Sequence, residues 1–108
     1  MTQPMPKPGS TNVTPRARED FPRRLDARER KGVETYGTTL QTFNGRDATE
    51  DTLDELIDAY QYVVQIKIQT AQLVKLGNRM ALAIELGNLA MANLVAEEWR
   101  VLIARMNS

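Results

Sequence analysis

Between Ala48 and Leu76 the apolar residues Leu53, Leu56, Ile57, Tyr60, Val63 and Val64 recur at spacings of three and four. Those spacings line up along one face of an α-helix, which turns about 100° per residue. Asp47, Asp51, Asp54, Glu55, Asp58 and Tyr62 fall on the opposite face. A two-faced helix has to bury its apolar side against another element, so this segment commits the chain to helix-on-helix packing. No strand pattern stands out elsewhere, and the expected class is all-α, a helical bundle.

Thr49 or Asp47 is suited to cap this helix, which is expected from about Ala48 to Leu76 and to stop near Gly77-Asn78. Upstream, a first helix is expected from near Glu19, with Pro22 tolerated in its first turn and Gly37 ending it. The stretch "TTLQTFNGRDAT" between the two helices has its strongest turn signal at Asn44-Gly45. Residues 1–18, with Pro4, Pro6, Pro8 and Pro15 among small polar residues, are expected to form a disordered tail. Residues 19–108 then make a single domain.

Downstream, "LVKLGNRMALA" and "AIELGNLAMANL" repeat Leu-Gly-Asn ten residues apart. A helix or a kinked continuation is expected over about 78–86, and a final helix from about Asn88 to Met106. Leu82, Leu86, Leu89, Met91, Leu94, Val95, Leu102 and Ile103 are more apolar surface than one helix of a monomer needs. A homodimer would use the surplus. Trp99, among Val95, Leu102 and Ile103, belongs to a core or a dimer interface.

The chain has neither Cys nor His. That removes thiolate and imidazole metal sites, disulfides and a Ser-His-Asp arrangement. Any metal must be held by oxygen, which means Mg²⁺, Mn²⁺ or Ca²⁺. Lys+Arg and Asp+Glu are both 14, so net charge argues for no nucleic-acid partner. No apolar run suits a membrane span and the N-terminus lacks the apolar centre of a signal peptide, so a cytoplasmic location is expected.

Charge is balanced in sum but not in place. Residues 1–32 carry eight Lys/Arg against four Asp/Glu, residues 33–66 one against seven, and residues 67–108 five against three. On the acidic helix, Asp51, Glu55 and Asp58 follow at i, i+4 and i+7, and no basic residue falls between Asp47 and Ile66. The acids can simply face water. They can also gather a cation, since carboxylates one turn apart can hold Mg²⁺ with waters and substrate phosphate filling its octahedron.

The block from Tyr36-Gly37-Thr38 through Asn44-Gly45-Arg46-Asp47 to Glu55-x-x-Asp58 resembles the MazG-like all-α nucleoside triphosphate pyrophosphohydrolases, in particular a phage and actinobacterial branch. The similarity covers roughly Arg28 to Gln69. It implies a dimeric or tetrameric helical bundle that cleaves an NTP or dNTP to a nucleoside monophosphate and pyrophosphate. It would sit in the cytoplasm, that of the host if a phage encodes it. Glu55 and Asp58 match the metal ligands of the family's second helix, and Asp51 is implied as a further ligand or the orienter of the attacking water. The family's Glu-x-x-Glu on the first helix is not present; Asp26, Glu29 and Glu34 are the nearest equivalents, and Glu34, just before the matching block, is preferred.

In the loop, Arg46 can clamp a phosphate or pair with Asp47 or Asp51, and Asn44 can read a base edge or make the turn with Gly45. Tyr36 and Phe43 can stack on a base or pack as buried hinge aromatics. Two functions from different classes follow: a metal-dependent nucleotide pyrophosphohydrolase, or a catalytically degenerate helical dimer acting as an interaction or regulatory protein. The second is favoured by the missing first-helix motif. A DNA-binding reading through the basic N-terminal arm lacks a recognition helix carrying basic and amide residues together.

Overall fold

The computed structural model describes residues 2–107, and their regular structure is helical throughout: α1 (Thr14–Tyr36), α2 (Ala48–Glu85) and α3 (Leu89–Met106). The chain falls into two compact units, one up to Arg46 and one from Asp47. Among the described residues no helix is long and apolar enough to cross a membrane.

In the first unit, residues 2–13 are exposed and outside any helix or strand. Helix α1 starts at Thr14, five residues before the position expected from the sequence. Pro15 lies in its first turn, where a missing N–H costs nothing, and Asn12 Oδ1 accepts the Thr14 N–H at 3.1 Å. The earlier start moves Pro22 from the first turn into the helix interior, where it removes one backbone donor. Exposed pairs of Asp20 with Arg23 and Arg24 span that turn. Gly37 ends the helix as the sequence suggests, at φ 76° and with its N–H on the Val33 carbonyl at 2.8 Å.

In the second unit, Asp47 rather than Thr49 caps α2: its Oδ1 accepts the N–H groups of Thr49 at 3.0 Å and Glu50 at 3.2 Å. The helix then runs 38 residues, straight through the stop expected at Gly77-Asn78. The repeated Leu-Gly-Asn is therefore used in two ways. Leu76-Gly77-Asn78 is helix interior. At Leu86-Gly87-Asn88, Gly87 turns to φ 61°, its N–H bonds the Ile84 carbonyl at 3.0 Å, and the Asn88 N–H bonds the Ala83 carbonyl at 2.9 Å. That pair of bonds is a Schellman ending. Asn88 then caps α3 by accepting the Met91 N–H at 3.0 Å.

Packing decides between the two copies. Reversal at Gly87 lays α3 back along α2, so that Leu76 and Ala83 of α2 are buried, as is Val95 of α3. Half-buried Leu73 and Met80 continue that seam at spacings of three and four. A stop at Gly77 would have cut the seam in two. Arg79 and Glu98 close its flank as a two-pronged ion pair, one prong at 3.3 Å.

Two consequences are measurable. A Cβ at Gly77 meets nothing within 4 Å, and the residue is helical. Gly77→Ala should therefore stabilise the chain by about 0.5–1 kcal/mol. Gly87→Ala forces a side chain into the left-handed region and should cost about 1–2 kcal/mol. Urea midpoints of the two variants should move in opposite directions; a shift of the same sign in both would contradict the two uses of the motif.

The hydrogen bonds from Arg79 hold the Glu98 carboxyl below its ordinary value. A depressed carboxylate lends stability above its unfolded pKa and loses it as pH falls through the folded one. The chain should thus lose melting temperature below about pH 4.5, and Glu98→Gln should flatten that acid limb. An unchanged acid limb in Glu98→Gln would show that the pair adds nothing.

Candidate functional site

Asp51, Glu55 and Asp58 stand on successive turns near the start of α2. Counting on from them at spacings of three and four passes Tyr62, Gln65 and Gln69 and reaches Leu73, Leu76, Met80 and Ala83. The acids therefore share the face of α2 that α3 covers further along. The antiparallel α3 brings Leu102, Arg105 and Met106 against Gln61, Gln65 and Gln69, so its C-terminal end reaches about one turn short of Asp58. The acidic face is the uncovered end of a packing seam. Leu53, Leu56, Ile57, Tyr60 and Val63 lie on the opposite side of α2, and Val64 borders the groove against the end of α3.

Asp51 is half-buried, whereas Glu55 and Asp58 are exposed. Glu34, and the alternatives Asp26 and Glu29, are exposed positions on α1 and belong to the first unit. Among the described residues no three Asp or Glu side chains converge into a cation-sized cluster. The donor chemistry of the α2 acids, all carboxylate oxygen, suits a hard divalent cation and no softer one.

The connection between α1 and α2 is a series of tight turns. Asn44 Oδ1 accepts the Arg46 N–H at 3.1 Å, an Asx turn that commits its carbonyl oxygen to the backbone and leaves its amide donors outward. Phe43 sits at φ 54°, and both Phe43 and Tyr36 are exposed. The buried-hinge alternative for these two rings is thereby overturned: each presents its π-face to solvent. Trp99 is 43% exposed and lines a shallow hollow with Leu76, Met80 and Val95.

No family model, curated protein or solved structure matches this chain.

One feature escaped the sequence reading. Gln61, Gln65, Gln69 and Gln72 line a shallow groove between α2 and the end of α3, together with Val64 and Ile68. Their spacing of four, four and three was the available signal. The amides lead from the α3 seam directly to Asp58, so the acidic face is flanked by hydrogen-bonding side chains, not by a bare apolar wall.

Proposed function

We propose that the chain is a metal-dependent nucleoside triphosphate pyrophosphohydrolase, cleaving a (d)NTP to (d)NMP and pyrophosphate. The observation that carries this reading is the placement of Asp51, Glu55 and Asp58 in line with the α3 seam and beyond its end. Carboxylates one turn apart on an uncovered face can share a hard cation, which would offset the repulsion between them.

Glu55 and Asp58 would hold Mg²⁺ or Mn²⁺, with Asp51 as a further ligand and Glu34 of α1 as the first-helix contribution. When bound, the cation would offset the triphosphate charge and make an attacking water more acidic. Asp51 is suited to orient that water by accepting one of its hydrogen bonds. Arg46 is the one guanidinium between Gly32 and Ile66 and is the group suited to clamp a phosphate from the loop side. Tyr36 and Phe43, as exposed rings, are suited to stack on a base, and Asn44 to donate its free amide hydrogens to a base edge. A homo-oligomer, dimer or tetramer, is part of the same reading.

Pyrophosphate release from the eight common NTPs and dNTPs, with Mg²⁺, Mn²⁺ or EDTA, tests it. Release from one or more substrates that EDTA abolishes is the expected result. Silence across the panel from a folded chain overturns it and leaves the second reading, a helical dimer without turnover. That reading is favoured by Glu34 standing alone where the family has Glu-x-x-Glu.

A further inference from the structure

Asn44-Gly45 is the only asparagine–glycine pair in the chain; Asn12, Asn78, Asn88, Asn93 and Asn107 precede Val, Arg, Leu, Leu and Ser. The side-chain amide carbon of an asparagine is an electrophile within reach of the next residue's backbone nitrogen, because attack there closes a five-membered ring. A side chain on that next residue crowds the ring, and glycine alone has none. We infer that Asn44 is a self-modification site, at which the folded chain converts its own asparagine to aspartate and isoaspartate and adds a negative charge to the connection between α1 and α2.

The loop leaves both reacting atoms available. Asn44 and Gly45 are exposed and outside any helix. The Gly45 N–H donates no hydrogen bond among the described residues, so no ladder bond has to break before it reacts. A Cβ at Gly45 would meet nothing within 4 Å, and solvent base reaches the nitrogen freely. The electrophile is also polarised. Asn44 Oδ1 accepts the Arg46 N–H at 3.1 Å, and the negative charge that develops on that oxygen as the ring closes falls on a donor already in place.

The other asparagines lack this combination. Asn88 likewise has its Oδ1 on a backbone donor, the Met91 N–H at 3.0 Å, but Leu89 follows it. Asn78 and Asn93 lie inside α2 and α3, where the next N–H belongs to the helical ladder. Asn12 precedes the branched Val13, and Asn107, with Ser108 after it, ranks second on size alone.

The conversion balances with water as its one co-reactant. The Gly45 nitrogen gives its proton to solvent and bonds to Asn44 Cγ; the Cγ–Nδ2 bond breaks and the side-chain nitrogen leaves as ammonia. Water then opens the cyclic imide. Cleavage between the nitrogen and Cγ gives aspartate. Cleavage between the nitrogen and the Asn44 carbonyl carbon gives isoaspartate, with the main chain rerouted through Cβ and Cγ. Either product adds a carboxylate to residues 33–66, which already hold seven against one basic side chain. Isoaspartate also lengthens the main chain by one methylene just ahead of Asp47, the cap of α2. Both remove the outward amide donors of Asn44, and neither depends on any turnover by the chain.

Trypsin frees residues 32–46, in which Asn44 is the single asparagine. After incubation of the full chain at mildly alkaline pH, that peptide should gain the mass difference between an amide and a carboxylic acid, divided between an aspartate and an isoaspartate peak. The peptide of residues 80–100, with Asn88 and Asn93, should stay unchanged. The folded chain should react within about threefold of the rate of the chain unfolded in guanidinium chloride. Gly45→Val, compared in the unfolded chain where strain at φ 84° does not enter, should slow the reaction by about tenfold or more. A folded chain more than about tenfold slower than the unfolded one overturns the proposal, because the loop then shields Asn44. A mass gain that appears first in another peptide overturns the choice of residue, and an undiminished rate in Gly45→Val overturns ring closure as the route.

Discussion

Val95→Asp should abolish cooperative melting of the α2–α3 pair. Val95 is the one large side chain that is fully enclosed among the described residues, 1% exposed, and it borders the same hollow as Leu76. A carboxylate there meets apolar neighbours; Arg79 is held by Glu98, and Arg100, at the rim of the same hollow, by Glu97. An unpaired buried charge costs several kcal/mol, and the methyl contacts of valine are lost besides. A two-helix unit with three buried apolar residues has little in reserve against that loss. Val95→Ala, which removes packing without adding charge, should cost only about 2 kcal/mol and keep a sharp, lowered transition. Far-UV circular dichroism against temperature separates the cases; a cooperative transition in Val95→Asp within a few degrees of the parent would mean the seam is not what holds α3.

The second large effect concerns activity. Glu55→Gln keeps size and helix propensity but removes a negative charge and one strong oxygen ligand. It should lower metal-dependent pyrophosphate release by about 100-fold or more, with Asp58→Asn close behind. Because the two would act on one cation, the double variant should be barely worse than either alone. Asp54→Asn, on the same acidic face but not matched to a ligand position of the family, should change the rate less than about threefold. Melting temperatures should hardly move in Glu55→Gln, since an exposed carboxylate there supports no packing. Equal losses in Asp54→Asn and Glu55→Gln would point to bulk negative charge and sink the assignment of particular ligands.

Much of the fold was legible because local signals and packing agree. The helix predicted from the three-and-four spacing, the Asp47 cap and the Gly37 ending each follow from short-range chemistry and are found in place, whereas the Leu53–Val64 row is exposed and α3 packs against the opposite face of α2. The boundaries that moved are those where a local signal had to compete. Gly77-Asn78 and Gly87-Asn88 offer the same turn chemistry, and only the position of Leu76, Met80, Ala83 and Val95 relative to a reversal selects the second. Pro22 lies inside α1 and not in its first turn, because Pro15 supplies an earlier start than Glu19.

The candidate site was legible in kind but not in setting. Spacing alone identifies Asp51, Glu55 and Asp58 as one stripe and does not reveal that the stripe is continuous with the α3 seam, because that depends on where α3 ends. Nor does it reveal the glutamine groove, whose members look like ordinary solvent-face residues until Leu102 and Met106 arrive beside them.

The unbroken course of α2 from Asp47 to Glu85 makes it a drive shaft as well as a wall. Its bearing is fixed at one end, where α3 grips it, and whatever the acids face at the other end is set by the number of residues in between. One extra residue between Tyr62 and Gln69 would swing the carboxylates through about 100° while leaving the grip intact. Seven would return them to within about 20° of where they began, some 10 Å further out. The count of residues in that plain middle stretch, more than their chemistry, aims the acidic end.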